Sequence, residues 1–189
     1  MANDPLIRTF LALPLAGFLP EIKKYLDFLQ NQPTQIKWVR PEQVHITLHF
    51  FGPTSAEMLT KIKNSIAPLI KKLAPFQLGL KGIGFFPDSH RPRVVWIGLK
   101  GDSEKLEILQ SNIERELKKT GFPLEGRAFK AHATLGRINN PQAAKDLQFS
   151  DFPETALKKF DGIILYRSHL NSHDQQPKYE ILETFIFKK

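Results

Sequence analysis

Cysteine is absent from all 189 residues, which excludes disulfides, thiol nucleophiles and thiolate metal ligands. No stretch approaches the ~18 consecutive apolar residues of a membrane span. The apolar opening FLALPLAGFLP is broken by Pro14 and Pro20, and it follows Asp4 with little positive charge, so it reads as strand and turn, not as a signal segment. The chain lacks a run of five like charges and a low-complexity linker, which leaves residues 1–189 as a single unit. Three strings are also missing: GxSxG, which would carry a serine nucleophile, and GxGxxG and GxxxxGK, which would cradle a nucleotide. A cytoplasmic enzyme or binding protein without a membrane segment is expected.

Acidic residues are the minority charge. Lys and Arg number 27 against 19 Asp and Glu, giving +8, a balance that suits a polyanion such as nucleic acid as well as a plain solvated surface.

Apolar spacing divides the chain into helices and strands. Helices are expected from Pro20 to about Gln30 on Ile22, Leu26 and Leu29, and after a Ser55 cap on Met58, Leu59, Ile62, Ile66 and Leu69. A third should run from Asp102 or Ser103 through Lys119 on Leu106, Leu109, Ile113 and Leu117, ending at Gly121. Strands are expected at Ile7–Leu15, Phe76–Phe85, Arg93–Leu99, Gly162–Leu170 and Tyr179–Phe187.

Two further strands carry one repeated string. HITL begins at His45 and HATL at His132, about half the chain apart. On a strand, alternate side chains share a face, so each His lies beside the Thr two residues on, while Ile46, Leu48, Ala133 and Leu135 turn to the core. The order of elements and the repeat together predict an α+β fold of two similar lobes, each contributing one string to a shared cleft.

Paired imidazoles near neutrality can serve as general base and general acid, and Thr47 and Thr134 hydroxyls can donate to nonbridging phosphate oxygens. That combination suits cleavage of a phosphodiester without a metal or other cofactor. Rival readings exist. His45 and His49 have the i, i+4 spacing of a helical zinc pair, but Ile46, Thr47, Phe50 and Phe51 favour a strand and no Glu follows the first His. Alternation puts His49 on the face of His45, where it could border the site, although a surface or packing role is the stronger reading. His90, His169 and His173 lack the Thr context. A protein that grips RNA phosphates without turnover also fits the residues.

The strings RTFLALPL, HITLHFFG, RPRVVWIG, RAFKAHATLGR, LYRSHL and KYEIL carry a resemblance to the 2H phosphoesterases, and within them to the RNA 2′,3′-cyclic phosphodiesterases, also called the 2′-5′ RNA ligase family. The likeness runs from about Arg8 to Leu182. It departs at Ala128 and Ala131, where the family often has Pro, a change that loosens the approach to the strand and removes no reacting group. The resemblance implies antiparallel sheets with outer helices and a cleft between lobes. His132 would be the proton acceptor that activates water against a 2′,3′-cyclic phosphate, and His45 the proton donor to the departing 3′ oxygen, leaving a 2′-phosphate. Thr47 and Thr134 would hold phosphate oxygens. An RNA 5′-hydroxyl in place of water would give a 2′-5′ linkage.

Arg137 occupies the family's basic position after the second string. Simple alternation puts it on the face opposite His132, so it reaches the cleft only if Gly136 marks a bulge or the strand end. Arg93, Arg127, Phe51 and Phe85 are candidates for an RNA groove, with ordinary core packing the stronger reading for each Phe. The resemblance leaves a 2H enzyme acting on another cyclic nucleotide or on a 2′-5′ phosphodiester as the nearest alternative. A monomer acting on RNA with a 2′,3′-cyclic phosphate end is expected.

Overall fold

A computed structural model describes residues 5–31, 36–122, 128–140, 150–169 and 177–188. The chain begins with strand β1 (Ile7–Pro14), a 3₁₀ turn at Ala16–Phe18 and helix α1 (Leu19–Gln30), followed by the short strand β2 (Lys37–Trp38). A second 3₁₀ turn, Pro41–Gln43, leads into β3 (His45–Thr54), which carries the first string, and then helix α2 (Ala56–Ile70). Strands β4 (Phe76–Phe86) and β5 (Val94–Gly101) precede helix α3 (Ser103–Lys119) and β6 (Ala133–Arg137), which carries the second. The last elements are β7 (Lys158–Phe160), β8 (Gly162–His169) and β9 (Lys178–Ile186).

The helices follow their stripes. Ile22, Leu26 and Leu29, Ile62 and Ile66, and Leu106, Leu109, Ile113 and Leu117 are all buried, each contributing ~1.5–3 kcal/mol of transfer free energy. Ser55 caps α2 by accepting a hydrogen bond from the Met58 amide at 3.2 Å. Gly121 ends α3 with φ 82°, a left-handed conformation that glycine adopts without a Cβ clash. Helix α3 begins at Ser103 as expected, and the Asp102 carboxylate just before it accepts from the Gln77 amide at 2.8 Å, tying α3 to β4.

The described strands form one antiparallel sheet in the order β7-β4-β5-β6-β3-β1-β8-β9, with β2 also on β6. The α+β expectation holds. Halfway across, β3 and β6 meet at the single pair Ile46↔Ala133. The sheet therefore consists of two four-stranded groups joined at the two repeated strings. Helix α3 packs behind β3, and α1 packs behind the far edge, where the Phe18 and Phe160 rings lie 6.2 Å apart and Tyr25 meets Phe152 at 5.0 Å.

One edge of β6 is shared. Its end pairs with β2 through Lys37↔Arg137 and Trp38↔Gly136, the Val39 amide donates to the Leu135 carbonyl at 2.7 Å, and its start pairs with β3. Between these two stretches the chain loops out as the Pro41–Gln43 turn. The loop opens the fork in which the candidate site sits.

Candidate active site

The register Ile46↔Ala133 fixes the geometry of the repeat. In an antiparallel pair, stepping one residue either way sets His45 across from Thr134 and Thr47 across from His132. All four side chains line one cleft of about 270 Å³, together with Arg137. The five residues singled out from the sequence are thus brought together.

The two histidines are anchored alike. His45 Nδ1 lies 2.7 Å from the Gln43 carbonyl and His132 Nδ1 lies 2.6 Å from the Lys130 carbonyl, in each case two residues earlier. A carbonyl can only accept, so each Nδ1 carries the proton and each Nε2 offers a lone pair. The Thr47 hydroxyl donates to His45 Nε2 at 3.1 Å. Gln43 is itself held, its side-chain amide donating to the Pro177 carbonyl at 2.6 Å.

Aromatic rings brace each imidazole. Phe10 from β1 lies 4.9 Å from His45, and Tyr179 from β9 meets it edge-on at 5.4 Å. On the other side Phe86 from β4 meets His132 edge-on at 4.9 Å, with Trp96 from β5 at 6.1 Å. The Lys130 ammonium stands over both of those rings, 5.1 Å from Phe86 and 4.8 Å from Trp96.

Burial pushes both imidazoles below the ordinary histidine pKa, because it penalises the charged ring more than the neutral one. The Arg137 charge lowers both further, His132 itself adds to the effect on His45, and Lys130 adds to that on His132. The backbone hydrogen bonds pull the other way without reversing the outcome. Both rings thus favour the neutral form in the free protein.

Two bulges decide which neighbours join them. Opposite β5, Val95 pairs with Gly136 and Trp96 with Thr134, which leaves Leu135 as an extra residue. The extra residue restores Arg137 to the cleft face. The condition set by the sequence is met, with Leu135 as the inserted position. Opposite β1, Leu11 pairs with His49 and Ala12 with Thr47, so Leu48 is extra in β3.

That second bulge turns His49 to the other face and bears out the packing reading. It does not border the site; it is buried on the helix side, with Nδ1 2.7 Å from Glu114 Oε1 of α3. Phe50 takes the cleft position, and Phe51, a groove candidate, packs instead against Phe122 with ring centroids 5.7 Å apart. Phe85 packs on the core and Arg93 donates to the Asn139 carbonyl at 2.7 Å; neither lines the cleft. Arg127 and His173 lie outside the described residues. His169 pairs with Glu180 at 2.7 Å and His90 sits at an exposed turn, both away from the cleft.

Arg8, Phe10, Lys37 and Tyr179 also line the cleft and were not singled out. Arg8 and Phe10 had a usable signal, since they alternate with buried Thr9 and Leu11 on one face of β1.

A family model described as "LigT like Phosphoesterase" matches residues 17–96. A protein of Aquifex aeolicus named RNA 2′,3′-cyclic phosphodiesterase is 36% identical over 187 residues, 95% of this chain and 96% of the relative. The chain belongs to the LigT-like phosphoesterase family. A second relative of the same name, from Archaeoglobus fulgidus, is 40% identical over 73% of this chain and 77% of its own length. The crystal structure of E. coli LigT complexed with NADP+ shares the fold of this LigT-like chain, with a TM-score of 0.80 at 22% identity, covering 98% of this chain and 99% of that one. No helix among the described residues is long and apolar enough to cross a membrane.

Proposed function

We propose that this LigT-like phosphoesterase hydrolyses 2′,3′-cyclic phosphate ends of RNA to 2′-phosphomonoesters, with His45 and His132 as an acid–base pair. The observation that carries the reading is the matched anchoring of the two imidazoles. Each Nδ1–H is spent on a carbonyl two residues back, which makes the Nε2 of His132, and the Nε2 of His45 beside the Thr47 hydroxyl, the reacting nitrogens of one cleft. The relatives named RNA 2′,3′-cyclic phosphodiesterase supply the substrate class.

His132 Nε2 takes a proton from water as its oxygen attacks phosphorus. The bond from phosphorus to the 3′ oxygen breaks, and that oxygen takes the proton from His45 Nε2. His45 therefore enters the step protonated, which the anionic cyclic phosphate favours against the burial that lowers its pKa. The assignment of His132 as base and His45 as acid follows the resemblance to the 2H phosphoesterases, since a like charge acts on each ring, Lys130 on His132 and His132 on His45.

Thr47 and Thr134, on the same face, donate to the nonbridging oxygens and stabilise the charge that builds on them. Arg137 adds a fixed positive charge at the fork. Domain-level unity of residues 1–189, action as a monomer and a cytoplasmic setting complete the proposal.

The test is conversion of a cyclic-phosphate-ended oligonucleotide in EDTA by purified protein. Multiple turnovers to the 2′-phosphate are expected, with losses of ~10²–10⁴-fold in His45→Ala and in His132→Ala. Binding without turnover under excess substrate would leave a noncatalytic RNA-binding protein. Full activity in either single variant would overturn the acid–base pair.

A further inference from the structure

Strand β2 is two residues long, and one of its two pairs sets Lys37 directly across from Arg137. Like charges directly opposite on neighbouring strands destabilise a sheet. None of the ion pairs among the described residues relieves either cation. The pairing is nevertheless enforced. Trp38 is buried over Gly136, where a Cβ would come 2.6 Å from the indole ring, and the Val39 amide is bonded to Leu135. The local packing thus holds side by side two cations that no carboxylate among the described residues neutralises, and both face the cleft.

We propose that Lys37 and Arg137 form a second anion subsite, which takes the phosphate on the 5′ oxygen of the nucleotide whose cyclic phosphate lies between the histidines. The inference rests on the reaction proposed above and names a part of its substrate. With Leu135 bulged, Arg137 lies two ladder steps, ~7 Å, beyond Thr134 on β6, and Lys37 sits across from it on β2 at the end away from the Ile46↔Ala133 rung, so the anion the two cations share lies beyond the group held by the two threonines. A cyclic phosphate closes the 3′ end of an RNA, and the next phosphate along the strand can lie only on the 5′ side of that terminal ribose. Arg8, another cation of the cleft, is stacked over the exposed Phe50 ring at 5.3 Å, which leaves the Lys37–Arg137 pair as the built cationic site. Two adjacent cations can bind different oxygens of one phosphate through charge-assisted hydrogen bonds.

The test compares product analogues that differ only at the 5′ position. Calorimetry should show adenosine 2′,5′-bisphosphate binding about tenfold or more tightly than adenosine 2′-phosphate, independently of any turnover. Lys37→Ala should erase most of that advantage, and Lys37→Arg should keep it with an unchanged melting temperature as the folding control. In turnover, 5′-phosphorylated adenosine 2′,3′-cyclic phosphate and a cyclic-ended dinucleotide should share the advantage over adenosine 2′,3′-cyclic phosphate with a free 5′-hydroxyl. Equal affinity of the two analogues for the wild-type protein would overturn the subsite. So would an equal loss for both in Lys37→Ala, or an advantage confined to the dinucleotide. Absence of turnover on every substrate, with the binding difference intact, would overturn the proposed reaction and leave the subsite standing.

Discussion

His49 and Glu114 meet at 2.7 Å between β3 and α3, on the side of the sheet away from His45. The contact explains why a histidine only four positions after a proposed catalytic one does not belong to the cleft. The Gln110 amide donates to the same carboxylate at 3.2 Å and approaches the Leu48 carbonyl at 3.4 Å, so the bulged stretch of β3 is fastened to the helix.

Glu114→Ala strands the buried His49 ring without its partner. The expected cost is ~1–3 kcal/mol of folding stability, read as a lower urea midpoint with an unchanged slope. A midpoint equal to that of the parent protein would show that the fastening is not needed.

The Trp96 indole lies over Gly84, where an added Cβ would come within 2.0 Å of Cζ2. Gly84→Ala must therefore move Trp96, and with it the aromatic floor beneath His132 and Lys130. Steady-state kinetics should show kcat falling more than KM rises, because the imidazole is misplaced while the rest of the cleft stays intact. An unchanged kcat would show that the floor does not position His132.

Burial and Arg137 both hold the two imidazoles low. The acid limb of kcat/KM should accordingly lie below the ordinary histidine value of ~6.5, with apparent constants that belong to the pair. Arg137→Gln removes a charge that disfavours imidazolium, so the limb should move to higher pH. Movement to lower pH, or none, would contradict the electrostatic role of Arg137.

Thr47→Ala and Thr134→Ala each delete one hydroxyl aimed into the cleft. A loss of ~10²–10³-fold in kcat is expected for each by analogy with a removed oxyanion donor, with Ser restoring most of it. Rates within twofold of the parent would place the threonines outside the transition state.

The helices and the two motif strands were legible because their residues repeat at fixed periods. The stripe of α3 and the His and Thr of each string are examples. Parity was where sequence reading broke down. Alternation assigns a face by counting, and a bulge inserts one uncounted residue. Leu48 and Leu135 are ordinary apolar strand residues, so nothing at those positions announces the extra count. One bulge removed His49 from the cleft, and the other brought Arg137 into it.

Short strands were hidden for a different reason. Lys158–Phe160 reads as a charged connector, yet it pairs with β4 from Phe76 to Leu78. Lys37 was equally silent. Its place depends on Trp38 docking over Gly136, a contact about a hundred residues away along the chain.

The single rung at Ile46↔Ala133 also sets an order of assembly. The group holding His132, β4 to β7, comes from one continuous stretch and can pair as it is synthesised. The group holding His45 cannot, since β1 must wait for β8 and then β9. Pairing across so long a loop is slow, so the cleft is completed last from the side of His45, and the newly made chain carries an unfinished sheet edge until residues 162–186 arrive.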